Sequence, residues 1–178
     1  VDHGYALYSA VSKAVSTFHQ LDDIRLGLIR GRYSGEGFLD ISPRASMHFR
    51  LPADRIPVFL PLAGKTIAVH GAKLQIGIPR PSLLEPASSV YSHFVTTRNG
   101  DQSDRFEKEI RRQLEALEVR ATLVIGRRKT MKIHGKQVVG HEVRLSDLSD
   151  ADSLTVQASG LGGRSKMGCG FFIAEITH

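Results

Sequence analysis

The order of periodic segments in the second half of the chain restricts the fold more than any other feature. Val90 to Thr97 is rich in β-branched and aromatic residues and predicts a strand. Ser103 or Asp104 then caps a helix to about Leu117, in which Phe106, Ile110, Leu114 and Leu117 share one face. Ala121 to Ile125 reads as a strand, and Thr130 to Ile133 pairs with Gln137 to Leu145 through the turn His134-Gly135-Lys136. A second helix from about Asp150 to Ser159 leads into a glycine-rich loop, and Cys169 to Ile176 is the last strand. Strand, helix, strand, strand, helix, strand is the order of a ferredoxin-like βαββαβ unit.

The first half repeats that order with its opening strand missing. A helix is predicted from about His3 to Phe18, with Asp2 as its N-cap and Leu7, Val11, Ala14 or Val15, and Phe18 on the buried stripe. Strands follow at Ile24–Arg30, Phe38–Ile41 and Met47–Leu51, then a brief helix near Ala53–Leu60 interrupted by Pro57. Further strands are read at Thr66–Val69 and Lys73–Ile78. The proline-rich stretch from Pro79 to Pro86 reads as a linker. The expectation is an α+β chain of tandem ferredoxin-like units, residues 1–80 and 81–178, the first lacking its opening strand. Val1 is not a methionine, so an upstream segment is expected, either removed or left out.

Composition narrows the function. With 178 residues, 41% of them hydrophobic and 24% charged, the chain is globular. Lys plus Arg number 24 against 18 Asp plus Glu, and the net charge of +6 suits a polyanionic partner, nucleic acid before an anionic membrane. The single cysteine, Cys169, excludes an internal disulfide framework. No apolar run approaches the roughly 20 residues that span a bilayer, and a cytoplasmic protein is expected.

Two segments concentrate the binding chemistry. The run from Gly160 to Phe172 holds five glycines before Cys169, at 160, 162, 163 and 168, and after it, at 170. They free the backbone for left-handed conformations and close approach. Arg164 and Lys166 add charge there, and the N–H groups of Gly162 and Gly163 are candidate donors to phosphate. The plain alternative is a tight helix-to-strand turn. Neither P-loop nor Rossmann spacing is present, which argues against a nucleotide cofactor. From Val119 to His141 there is no Asp or Glu, while Arg127, Arg128, Lys129, Lys132 and Lys136 line a predicted hairpin. Such a ribbon can track a phosphate backbone, although lysines on an edge strand also protect against aggregation.

Of the eight histidines, His19 stands out. If the first helix continues at about 100° per residue, Tyr8, Ser12 and His19 share a stripe. A helix C-terminus there favours the protonated imidazole, and a histidine titrating near neutral pH beside hydroxyls suits proton transfer. A polar helix-end histidine with no task fits the same pattern. No HExxH, paired-His spacing or carboxylate cluster points to a metal, and no metal or cofactor is expected.

Together these pieces resemble the Cas6 family of CRISPR-associated repeat-RNA endoribonucleases. The resemblance runs from Asp2-His3-Gly4-Tyr5-Ala6-Leu7-Tyr8 to Gly160-Leu161-Gly162-Gly163-Arg164 and Gly168-Cys169-Gly170-Phe171-Phe172. It implies two ferredoxin-like folds that bind a CRISPR repeat stem-loop. It also implies metal-independent cleavage at the stem base by 2′-hydroxyl attack, leaving a 2′,3′-cyclic phosphate, with the protein staying on the mature guide RNA. His19 matches the family's general base. Ser12 takes the place of an assisting hydroxyl, with Tyr8 one turn earlier. A catalytic lysine downstream is not evident, as Asp22 and Asp23 occupy the nearby stretch. The resemblance leaves a second reading open, a non-catalytic hairpin-binding subunit of an effector complex. A generic anion-binding module ranks last because it leaves the basic hairpin without a purpose.

Overall fold

The computed structural model describes residues 2–175. The chain forms two compact units, Val1–Ser82 and Leu83–His178, each with its own apolar cluster. The boundary falls in the proline-rich stretch, which carries no regular structure.

In the first unit α1 spans Gly4–Ala14 and buries Gly4, Leu7, Ala10 and Val11 at helical spacing. It is shorter at both ends than the sequence predicts. His3, not Asp2, is the N-cap, and no side chain caps the helix. The helix stops because Val15 turns extended, at φ −127° and ψ 92°. Val15, Ser16 and Thr17 are β-branched or hydroxyl residues that lose little by leaving a helix. Phe18–Gln20 is a separate 3-10 turn.

The strands of this unit pair as three two-stranded ladders instead of one sheet. They are β1 (Arg25–Leu26) with β4 (Phe49–Arg50), β2 (Arg32–Gly35) with β3 (Phe38–Asp40), and β5 (Thr66–Val69) with β6 (Ala72–Gln75). The β2 strand was not foreseen. Pro57 does not interrupt a helix. It lies in the first turn of a short one, α2 (Ile56–Phe59), where its missing N–H costs nothing. Phe18, Phe49 and Phe59 interlock in the core, with ring centroids 6.0, 5.6 and 4.5 Å apart.

The second unit is one four-stranded antiparallel sheet built from β7 (Val90–Val95), β8 (Thr122–Ile133), β9 (Lys136–Ser146) and β10 (Ile173–Ala174), in the order β10–β7–β9–β8. Helices α3 (Ser103–Ala116) and α4 (Asp150–Ser159) complete the strand-helix-strand-strand-helix-strand order. Phe106, Ile110 and Leu114 of α3 and Val156 of α4 join Val90, Val95, Val143 and Leu145 in one cluster. Ser149 caps α4 by accepting from the Asp152 N–H at 3.1 Å. Gln102 occupies the N-cap of α3, a correction to Ser103 or Asp104.

Two further differences matter for function. The two strands read on either side of Gly126–Lys129 are one continuous strand, because charged residues on an exposed face do not interrupt a ladder. The ladder bulges instead: Gly126 and Arg127 together oppose Glu142, between the pairs Ile125–Val143 and Arg128–His141. A Cβ at position 126 would meet the Glu142 side chain at 3.0 Å. The last strand holds only Ile173 and Ala174, since Gly168 and Gly170 are left-handed, at φ 83° and 64°, and keep Cys169–Phe172 in the loop. Ile176, the expected end of that strand, lies outside the described residues.

Candidate active site and RNA-binding surface

Tyr8 and Ser12 lie one turn apart on α1 and share a face, as expected. His19 is not on that helix, which ends five residues earlier, so the helix dipole does not act on it. The residue reaches the site another way. Phe18 stacks on Tyr8 with centroids 5.6 Å apart, which folds the 3-10 turn back onto the helix. Its ring also meets Phe49 edge-on at 6.0 Å. The exposed His19 is thereby carried on a turn pinned between the Tyr8 face of α1 and strand β4. Ser12 Oγ is buried and has no hydrogen-bond partner among the described residues. His3 plays a structural part: its Nε2 accepts the Ile29 N–H at 3.0 Å, which fixes that nitrogen unprotonated.

Next to this turn stands a basic group that sequence reading missed. Arg25 and Arg50 are direct cross-strand partners on β1 and β4. Like charges facing each other across a ladder repel. Burial lowers the Arg25 guanidinium pKa, and burial followed by the charge of Arg25 brings Arg50 down to about 10. His48 lies just before Phe49 and its pKa is also lowered, first by burial and then by Arg30 and Arg50. Its Nε2 is 2.7 Å from Ser46 Oγ. The available signal was an arginine inside each of two short apolar segments, Ile24-Arg25-Leu26 and Phe49-Arg50-Leu51.

On the hairpin, Arg127, Arg128, Lys132 and Lys136 are exposed, the last two flanking the His134–Gly135 tip. Lys129 is a correction. Its ammonium forms a 2.5 Å ion pair with Glu142, an acid one residue beyond the acid-free stretch. That pair, the Tyr91 hydroxyl and the Arg127 N–H together hold the Glu142 carboxyl below the usual range. The root of the hairpin is therefore charge-compensated, and its positive character lies at Arg127, Arg128 and the tip.

The glycine loop also differs from expectation. Gly162 and Gly163 do not offer their N–H groups to a ligand. Gly162 donates to Gln113 Oε1 at 2.7 Å and Gly163 to the Thr96 carbonyl at 2.9 Å. Gly170 donates to the Phe94 carbonyl at 2.8 Å. A Cβ at 162 or 170 would collide with the Thr96 or Leu161 carbonyl, so the loop is a close-packed clasp. What it presents outward is Arg164, exposed and held in the left-handed region at φ 59°. Lys166 is half-buried in the 3-10 turn Ser165–Met167.

The comparisons agree with this architecture. The Cas6 family model (Cas6 Crispr) matches residues 1–177. The CRISPR-associated endonuclease Cas6 of Myxococcus xanthus (strain DK1622) is 37% identical over 173 residues, covering 97% of this chain and 75% of that protein. A solved CRISPR-associated protein Cas6 superposes with a TM-score of 0.65 at 14% identity, covering 98% of this chain and 92% of that one. A Cas6-related protein from Pyrococcus furiosus does so with 0.65 at 14% identity, over 97% and 90%. Cse3 of Thermus thermophilus, bound to an RNA representing a pre-cleavage complex, gives 0.50 at 14% identity, over 96% and 88%. These solved structures share the fold along almost the whole chain. The family model and the Myxococcus xanthus relative show a CRISPR-associated protein, and the chain belongs to the Cas6 family.

Proposed function

We propose that this protein is an endoribonuclease that processes CRISPR precursor RNA by cutting at the base of the repeat stem-loop, without a metal ion. The observation that carries the reading is the Phe18 anchor, which brings the His19 turn against both the Tyr8 face and the strand bearing Arg50. In the reaction His19 takes the proton of the ribose 2′-hydroxyl, and the 2′-oxygen forms its bond to phosphorus. The bond to the 5′-oxygen then breaks, and that oxygen takes a proton from water while His19 returns its own to solvent, giving a 2′,3′-cyclic phosphate and a 5′-hydroxyl. Tyr8 orients the reacting strand. Ser12, whose hydroxyl is sealed from water, supports the helix face behind it. Arg25 and Arg50 supply the positive charge that a lysine would otherwise provide to the phosphate.

The residues outside this centre bind the stem. A-form RNA is held chiefly through its shape and backbone. The hairpin cations Arg127, Arg128, Lys132 and Lys136, with Arg164 and Lys166, suit that contact. Residues 1–80 form the catalytic unit, a reduced ferredoxin-like fold, and residues 81–178 the stem-binding one. Among the described residues no helix is long and apolar enough to cross a membrane, and we place the reaction in the cytoplasm. The alternative, a non-catalytic hairpin-binding subunit of an effector complex, draws on the same hairpin and needs none of the His19 chemistry.

The test is cleavage of a repeat stem-loop in EDTA, with gel-shift binding measured in parallel. Wild type is expected to cut. His19→Ala is expected to lose on the order of 10²–10⁴ in rate and keep its affinity. Tight binding with no cleavage by wild type would favour the hairpin-binding subunit.

A further inference from the structure

His48 has no part in the mechanism above, and its surroundings differ from those of His3 and His70. The latter two are tied to backbone groups, the Ile29 N–H and the Asp2 carbonyl. On β4 the register sets Arg50 opposite Arg25 and Phe49 opposite Leu26. The Gly27 N–H donates to the His48 carbonyl at 2.9 Å, so His48 stands across from Gly27. Leu26 is in the core cluster and Phe49 packs against it. Alternation along a strand therefore places His48, Arg50 and Arg25 together on the other face. Gly27 brings no side chain to that face, and His48 is exposed on it. Ser46 Oγ lies 2.7 Å from Nε2 of the ring, and Nδ1 has no hydrogen-bond partner among the described residues. His48 is also one residue from Phe49, whose edge contact with Phe18 at 6.0 Å brings the His19 turn to this strand.

Cleavage by a 2′-hydroxyl moves two protons. One leaves the 2′-oxygen as it attacks, and one joins the 5′-oxygen as it departs. In an in-line displacement those oxygens lie on opposite sides of phosphorus. One imidazole cannot reach both in the same step, so a second group on a second element is needed to spare the leaving oxygen its negative charge. In the free protein His48 is kept below its ordinary pKa, first by burial and then by Arg30 and Arg50. A phosphate seated against the Arg25–Arg50 pair offsets the charge of Arg50, and the imidazole then gains a proton as the substrate arrives.

We propose that His48 is the general acid of the cleavage, giving the Nδ1 proton of its imidazolium to the departing 5′-oxygen while Ser46 accepts from Nε2–H. This rests on the RNA-processing reading and puts His48 where water would otherwise supply that proton. As the bond between phosphorus and the 5′-oxygen breaks, its electron pair goes to the oxygen, which takes the proton. Neutral His48 regains one from solvent, and His19 gives up to solvent the one it took from the 2′-hydroxyl.

The experiment compares an ordinary repeat stem-loop with one in which sulfur replaces the 5′-oxygen at the scissile phosphate. A thiolate departs without needing a proton. On the ordinary RNA, His48→Ala should lose on the order of 10²–10⁴ in rate at an unchanged Kd. On the sulfur RNA the same variant should cut close to the wild-type rate, while His19→Ala stays slow on both. Recovery on sulfur also shows that the variant is folded. If His48→Ala cuts ordinary RNA as fast as wild type, gains nothing from sulfur, or sulfur restores His19→Ala instead, the assignment of His48 is overturned and the processing reading stands. Cleavage of neither RNA by wild type would overturn both.

Discussion

Phe18 is fully buried among the Tyr8, Phe49 and Phe59 rings, so the turn that bears His19 is set by its neighbour and not by the helix before it. Under the proposed function, position 18 is a positioning residue. Phe18→Leu keeps the site apolar but loses two edge-to-face contacts, and should cost about 1–2 kcal/mol of stability. The more telling effect is on cleavage, which should fall at least tenfold at saturating RNA while the Kd changes little. A steady-state comparison that showed KM rising alone would mean that the turn does not aim the base. The same scale explains what escaped sequence reading. The Tyr8–Ser12–His19 stripe assumed a helix through residue 18, and Val15 ends it. Arg25 and Arg50 lie unremarked inside the strands read at Ile24–Arg30 and Met47–Leu51, because their significance comes only from facing each other across a ladder.

At the level of elements, the hairpin and α3 each carry an acid whose loss is measurable. Glu142 neutralises Lys129 in the middle of the positive ribbon. Glu142→Gln should release that ammonium, lower stability by about 1 kcal/mol, and steepen the salt dependence of RNA binding by roughly 0.9 for one added phosphate contact on duplex. An unchanged slope would place Lys129 off the RNA path. On α3, the Glu109 carboxyl falls from its ordinary 4.5 to about 2, chiefly through the Arg112 hydrogen bond and then through Gln113. A carboxylate with a folded-state pKa below its unfolded one stabilises above pH 4.5, and that contribution drains away as pH falls toward 2. Urea unfolding from pH 6 to pH 2.5 should show a shallower acid limb for Glu109→Gln than for wild type. The helices of this second unit and its strands β7 and β9 were legible because they display their period over several turns or pairs, as in Phe106, Ile110 and Leu114. The first unit was less so. Its strands are two to four residues long and exist by virtue of their partners. The glycine loop misled for a related reason, since the acceptors of its N–H groups, Thr96 and the Gln113 side chain, are 67 and 49 residues away in sequence.

For the whole molecule, charge couples binding to folding. A net +6 with two arginines confronting each other across one ladder makes anions stabilising ligands. Inorganic phosphate should raise the Tm of wild type by a few degrees at tens of millimolar, and Arg50→Met should lose most of that response. Sodium chloride at matched ionic strength is the control, and equal shifts in both salts would remove the phosphate site. The rung at Glu142 has a wider consequence. Both neighbours of β9 carry an extra residue there, Gly126–Arg127 on β8 and His93–Phe94 on β7. Leu123 and Ile125 therefore share a face with Val143 and Leu145, while Met131 and Ile133, also odd-numbered, turn to the other side. Parity is reset at that point, as in a gear that skips a tooth. When two sequences of this family are laid side by side, closing a one-residue gap at Gly126 would set Lys132 in the column of its apolar neighbour Met131 or Ile133, and the error would look like divergence.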